Sequence, residues 1–188
     1  MKAVVHIDDR GRATSADDYI GRIAAAIEGV PAQVEYRRLV IGDVAWFGRG
    51  EVYHLVEIKR ATDLVRSLIS DHIQSQVTRM LAMPGEKYLV KLGRIAKGPR
   101  GETWTLTAEH AQDFPNYGRQ SQREWARTET TEWTRHEVAF TAVTNYLMRM
   151  QLLGVKVVCA DSLMDDGAVI AGLVKNSLKT KHAVQVPA

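Results

Sequence analysis

The chain predicts an α/β protein in three layers, a mixed central sheet between two layers of helices. Three observations carry this. Short apolar runs bounded by Gly, Pro or acidic residues alternate with longer segments of helical period. Val65, Ile69, Ile73, Val77 and Met80 recur at helical spacing in a long segment that ends at Pro84-Gly85. Gly29-Val30-Pro31 and Gly154 fall where such an alternation needs its stops.

In chain order, residues 3–8 read as a buried strand ending at Asp8-Asp9-Arg10. Ser15 precedes Asp17 and Asp18, a helix start with acids in the first turn, and that helix runs to about Glu28. Residues 33–46 look extended, Phe47-Gly48-Arg49-Gly50 makes a turn, and Glu51 to Lys59 completes an antiparallel hairpin. One helix is expected from about Asp63 to Met83, then a strand from Lys87 to Leu92. Periodicity is lost from Gly93 to about Arg135. A helix resumes near Glu137 and ends before Gly154, a strand follows over 155–159, and a last helix over 164–178. One domain over 1–188 is expected, with an inserted Trp/Arg-rich segment at about 94–135.

Composition narrows the function. With 45% hydrophobic residues in 188, the chain buries a core of its own. A net charge of +3 permits an anionic partner without demanding one. The single cysteine, Cys159, excludes an intramolecular disulfide and any multi-cysteine metal site, and the six histidines are scattered. No apolar run reaches the ~20 residues of a membrane span, and acids arrive too early for a signal peptide. A soluble, intracellular protein is the expectation.

The chemistry concentrates in Gly42-Asp43, then thirteen residues, then Glu57-Ile58-Lys59, then Asp63. The strand period of two puts Glu57 and Lys59 on one face and Ile58 on the other. A hairpin over 43–59 brings Asp43 to the same end as Glu57. Two converging carboxylates repel unless a cation neutralises them, which favours a hard metal with oxygen ligands. A lysine beside that metal can position a water and stabilise charge on a phosphate. Such a set suits hydrolysis of a phosphodiester bond with Mg2+, Mn2+ serving as well.

Those residues resemble the XPF-type structure-specific nucleases, a branch of the restriction-endonuclease-like PD-(D/E)XK superfamily. The family motif G-D-x(n)-E-R-K-x-x-x-D is matched by Gly42, Asp43, Glu57, Lys59 and Asp63. Its first strand ends V-D-x-R-E, against Ile7-Asp8-Asp9-Arg10-Gly11 here. Its D-L-x-x-S-L-x-x-G-R-L-x-x-Q lies against Asp63-Leu64, Ser67-Leu68, Asp71-His72-Ile73 and Gln76. Ile58, Gly11 and Asp71-His72 depart from the pattern. The resemblance implies a restriction-endonuclease-like fold and a Mg2+-dependent endonuclease of branched, flap or junction DNA in repair or recombination. It implies Asp8 as a third acid, Ile58 as a metal ligand through its backbone carbonyl, Lys59 orienting the water and Asp63 supporting the site from behind. Gln76 projects onto the apolar face of its helix, where it is either a satisfied core amide or, as the resemblance implies, an active-site residue.

DNA-contact candidates are Arg10, Arg12, Arg60 and Lys2 flanking the cleft, His72, and the basic tail with Lys179 and Lys181. Trp104, Trp125 and Trp133 either stack on exposed bases or form a small satellite core. The helix over 137–153 is apolar around about half its circumference, which suggests a homodimer contact or deep burial. The rivals are a catalytically silent DNA-binding scaffold subunit, and a Holliday-junction resolvase or restriction-type nuclease.

Overall fold

The computed structural model describes residues 2–12, 19–70, 72–106, 133–162 and 165–179. Strands β1 (Ala3–Asp8), β2 (Ala32–Arg37), β3 (Val44–Phe47), β4 (Tyr53–Arg60), β5 (Glu86–Leu92) and β9 (Val155–Ala160) form one mixed sheet in the order β2-β1-β3-β4-β5-β9. Strands β6 (Ile95–Lys97), β7 (Glu102–Leu106) and β8 (Trp133–Ala139) form a second, antiparallel one. Five helices complete the described fold: α1 (Tyr19–Glu28), α2 (Ala61–Ile69), α3 (His72–Leu81), α4 (Phe140–Leu152) and α5 (Asp166–Leu178). None is long and apolar enough to cross a membrane.

Alternation along the central strands assigns the two faces. Ile58, Val90 and Leu92 pack with Ile20, Ile23 and Ile27 of α1 and with Ile170 and Val174 of α5. Leu89, on the other face, packs with Leu64, Ile73, Val77 and Met150 from α2, α3 and α4. Glu57, in register with Leu89, therefore faces the α2–α4 layer. On the α1 side, Arg22 clamps the fully buried Asp166 through Nε at 3.0 Å and Nη2 at 2.6 Å, tying α1 to α5.

The extended reading of 33–46 is corrected. β2 and β3 are separate strands on opposite sides of β1, the first parallel to it and the second antiparallel. Residues 38–43 cross the end of β1 between them. Gly42, at φ +77°, makes that reversal, and a Cβ there would lie 2.6 Å from Leu55 Cδ1 and 2.9 Å from the Val56 carbonyl oxygen. The hairpin of β3 with β4 is as expected.

The single helix over 63–83 is also corrected to two. The Ser70 N–H donates to the Arg66 carbonyl at 3.3 Å and its hydroxyl reaches the same oxygen, closing α2. The apolar stripe breaks there too, for Ile69 is 65% exposed. The helix expected near Glu137 begins at Phe140, because Glu137 to Ala139 extend β8 against β7. The segment without periodicity contains β6, β7 and the start of β8, while 107–132 lie outside the described residues. Trp104 and Trp133 are buried together with Leu106, so these two build a small core and are unavailable for stacking on bases. Trp125 falls outside the described residues. α4 buries Val143 and Met150 in the chain's own core.

Candidate active site

The crossing of residues 38–43 over the end of β1 assembles the acids. The Asp8 N–H donates to the Asp43 carbonyl at 2.8 Å, and the Asp43 N–H donates to the Val56 carbonyl at 2.8 Å. Asp43 is thereby pinned between β1 and β4. Its Oδ2 accepts from the Ile58 N–H at 2.6 Å, while Oδ1 has no hydrogen bond among the described residues. The expected nearness of Asp43 to the Glu57 end of the hairpin is what the backbone produces.

Glu57 is buried and held from two sides. Lys59, on the same strand face, places Nζ 2.8 Å from Glu57 Oε1, and Gln76 of α3 donates Nε2 to that same oxygen at 2.9 Å. Glu57 Oε2 carries no hydrogen bond among the described residues. Gln76 Oε1 is buried and accepts none. Gln76 is therefore a residue of the acid cluster and not a satisfied core amide, although the helix that carries it is not the continuous one its projection assumed.

Burial pushes the Asp43 carboxyl up to about 7, the negative charge of Glu57 adds to this, and the Ile58 N–H and Lys59 oppose it. Asp8 behaves differently. Burial raises its carboxyl, but Arg10 overrides that through Nε at 2.5 Å on Oδ2 and its own N–H at 3.3 Å on Oδ1, so the net shift is downward. Arg10 also donates Nη2 to the Leu39 carbonyl at 3.1 Å, fastening the crossing segment beside the acids.

A cavity of about 140 Å3 opens beside Asp43, lined by Ile58, Arg60, Asp63, Leu92 and Asp166. Asp63 stands exposed on the first turn of α2. Asp166 is a lining residue that the sequence did not single out. Its partner Arg22 lies 144 positions away, and an acid opening a helix carries no signal of its own. Of the DNA-contact candidates, Arg60 lines this cavity and Arg10 is turned onto Asp8. Lys2 and His72 are exposed, and exposed Lys179 bonds Asn176 Oδ1 at 3.1 Å at the end of α5. The side chain of Arg12, and Lys181, fall outside the described residues.

The donor set fits a hard divalent cation. Two carboxylates, each with an oxygen that no cation among the described residues pairs, repel each other, and this adds to the burial that pushes Asp43 up to about 7. Among the described residues no three His, Cys, Asp or Glu side chains form a ready cage. Two carboxylates and a carbonyl with the remaining positions left to water is the coordination Mg2+ favours.

The raised carboxyl gives a pH dependence. The folded pKa of Asp43 lies above the unfolded carboxylate value, so between about pH 4 and 7 the folded state binds the extra proton. Metal-free protein should thus lose stability as pH rises through this window. Thermal melts at pH 5 and pH 8 check this: Asp43→Asn should flatten the loss, and millimolar Mg2+ should stabilise the wild type more at pH 8 than at pH 5. A wild type and variant with the same pH profile would contradict the assignment.

Two solved structures share the fold. XPF from Aeropyrum pernix matches with a TM-score of 0.53 at 16% identity, over 93% of this chain and 64% of that one. XPF from Aeropyrum pernix in complex with DNA matches with a TM-score of 0.54 at 17% identity, with the same coverage of each chain. The chain thus spans less than two thirds of the length of those structures. No curated protein matches it. The family model of the ERCC4 domain matches residues 7–173, which contain β1, the acid cluster and most of α5, and the chain belongs to that family.

Proposed function

We propose that this domain is a metal-dependent DNA endonuclease that hydrolyses phosphodiester bonds in branched, flap or junction DNA. The observation that carries the reading is the Asp43–Glu57–Lys59 cluster with its two unbonded carboxylate oxygens. Membership of the ERCC4 family supports it, as does the likeness to a fold that has been captured with DNA.

Asp43 Oδ1, Glu57 Oε2 and the Ile58 carbonyl would hold Mg2+ or Mn2+, which supplies charge neutralisation and a more acidic water. Asp8, already paired with Arg10, would act beside these as the third acid and fix the crossing segment. Lys59 Nζ keeps donors beyond its bond to Glu57, so it orients the attacking water and meets charge on the phosphate. The buried Gln76 Oε1 offers that water an acceptor, while Nε2 keeps Glu57 turned toward the metal. Asp63 and Arg60 sit where the strand leaves the cluster, Arg60 towards the DNA backbone.

Replacing Gln76 by Leu keeps the side chain's bulk and removes both contacts. Partners that orient a metal ligand are typically worth ~10–100-fold in affinity or rate. Gln76→Leu should therefore raise the Mg2+ concentration for half-maximal cleavage by that factor, with folding retained. A metal titration identical to wild type would remove Gln76 from the site.

The acting unit in this reading is a homodimer joined at the outer face of α4. Met148 is 60% and Leu152 87% exposed there, and a cavity of about 330 Å3 beside exposed Ile69 separates α2 from α4. Met150, in contrast, is 4% exposed and belongs to the core. Met150→Glu should unfold the chain, since it buries an unpaired charge. Met148→Glu and Leu152→Glu should leave it folded and monomeric by light scattering. A wild type that is monomeric at micromolar concentration would end the dimer proposal.

Purified protein with Mg2+ and labelled duplex, flap, fork, single-stranded and four-way-junction DNA tests the function. Incision near the branch of at least one structure, over linear duplex, is the expected result. DNA binding without incision would favour the silent scaffold, and equal cutting of linear duplex would favour a restriction-type nuclease.

A further inference from the structure

The sheet face that carries Glu57 and Lys59 continues sideways into a second group of cations. Lys59 is in register with Lys91 of β5, and Lys91 with Cys159 of β9. The three side chains therefore stand in one row, with neighbouring strands ~4.8 Å apart. Beyond Lys91 lies a cavity of about 370 Å3, whose lining includes Arg94, Phe140, Thr144, Cys159 and Asp161.

Lys91 is 6% exposed, and among the described residues its ammonium makes one hydrogen bond, to the Gly93 carbonyl at 2.5 Å. No acceptor among the described residues takes its other two donors. Lysine is almost never buried this far unless it is paired. Burial pulls its pKa below the ordinary value, and the neighbouring Cys159 and Asp161 only partly offset this. The cavity therefore presents a nearly buried ammonium beside the catalytic row.

We propose that this cavity is an anion site for a backbone phosphate of the DNA strand, adjacent to the one cleaved, with Lys91 as its anchoring cation. Arg94 contributes a second charge at the cavity wall, and the Thr144 hydroxyl an uncharged donor. A phosphate here would accept from the Lys91 ammonium, and lies one strand along from Lys59 on the same face. The strand would thus run from β4 towards β9, across the ends of the parallel strands. This inference rests on the nuclease reading above.

The test is the salt dependence of DNA binding, measured by fluorescence anisotropy with Ca2+ in place of Mg2+. Each phosphate contact adds nearly one to the slope of log K against log salt. Lys91→Met should fold, lower that slope by about 1, and change the single-turnover rate at saturating DNA less than about 2-fold in Mg2+. Lys91→Arg should keep the slope. Lys91→Gln, which removes the charge but keeps a donor, gives the same reading should Lys91→Met not fold. A wild-type slope in the folded variant overturns the assignment. If inorganic phosphate then still raises the melting temperature of the wild type and not of the variant, the cavity serves a free anion instead, which also overturns it. A wild type that neither binds nor cuts DNA fails the nuclease reading itself, whereas active wild type with an unchanged variant slope fails this inference alone.

Discussion

Asp43→Ala and Glu57→Ala are each expected to slow DNA cleavage at least ~10³-fold while leaving the fold intact. Each removes one of two carboxylates that would neutralise a divalent cation, and several kcal/mol of transition-state stabilisation corresponds to that factor. The fold should survive because neither side chain is needed as a spacer. Asp43 gives up one bond, from the Ile58 N–H, and the raised pKa marks its charge as destabilising in metal-free protein. Asp43→Ala should therefore melt no lower than wild type at pH 8 without metal. For Glu57 the outcome is less favourable, since Lys59 and Gln76 both lose their acceptor. Circular dichroism with single-turnover cleavage checks both variants. Two folded variants that cut near the wild-type rate would refute the site.

Lys59→Met separates grip from chemistry. It keeps an unbranched apolar stem and removes the ammonium 2.8 Å from Glu57. Positioned proton-transfer and charge-stabilising groups are worth ~10²–10⁴-fold. Turnover should fall within that range, while DNA affinity in Ca2+ changes by no more than one phosphate contact, under ~10-fold. The variant should also bind metal, because Asp43 and Glu57 remain. Lost DNA binding with an unchanged single-turnover rate would make Lys59 a DNA-gripping residue instead.

Much of the site was legible because its chemistry is written in short-range rules. The strand period put Glu57 and Lys59 on one face, and the hairpin length brought Asp43 to their end. What the residues did not announce was how the chain arrives there. The stretch 33–46 looks uniformly extended, yet a glycine at φ +77° and the crossing over β1 divide it into strands on either side of Asp8. That crossing explains why Asp8 and Asp43 meet at all.

The small sheet was hidden for a different reason. Its buried positions mix Glu102, Thr103, Thr105 and His136 with Trp104, Leu106 and Trp133, so no plain apolar pattern marks it. Glu102 is satisfied by Trp104 Nε1 at 3.2 Å and the Arg100 N–H at 2.9 Å, and the Thr105 hydroxyl bonds both Thr62 at 2.9 Å and His136 at 2.8 Å. The pairings of Thr105 span tens of residues and leave no local period. The contact through Thr62 docks the small sheet on α2, the helix that carries Asp63. Likewise, the wide apolar circumference of α4 combined two surfaces, one burying Val143 and Met150 and one leaving Met148 and Leu152 exposed.

The most direct measurement of the central claim is single-turnover incision of a labelled flap or fork by the purified chain, with Mg2+ and with EDTA at equal protein concentration. The account predicts strand cleavage with Mg2+ or Mn2+, none in EDTA, and none with Glu57→Ala under either condition. Cleavage that persists in EDTA, or that survives in Glu57→Ala, would contradict it.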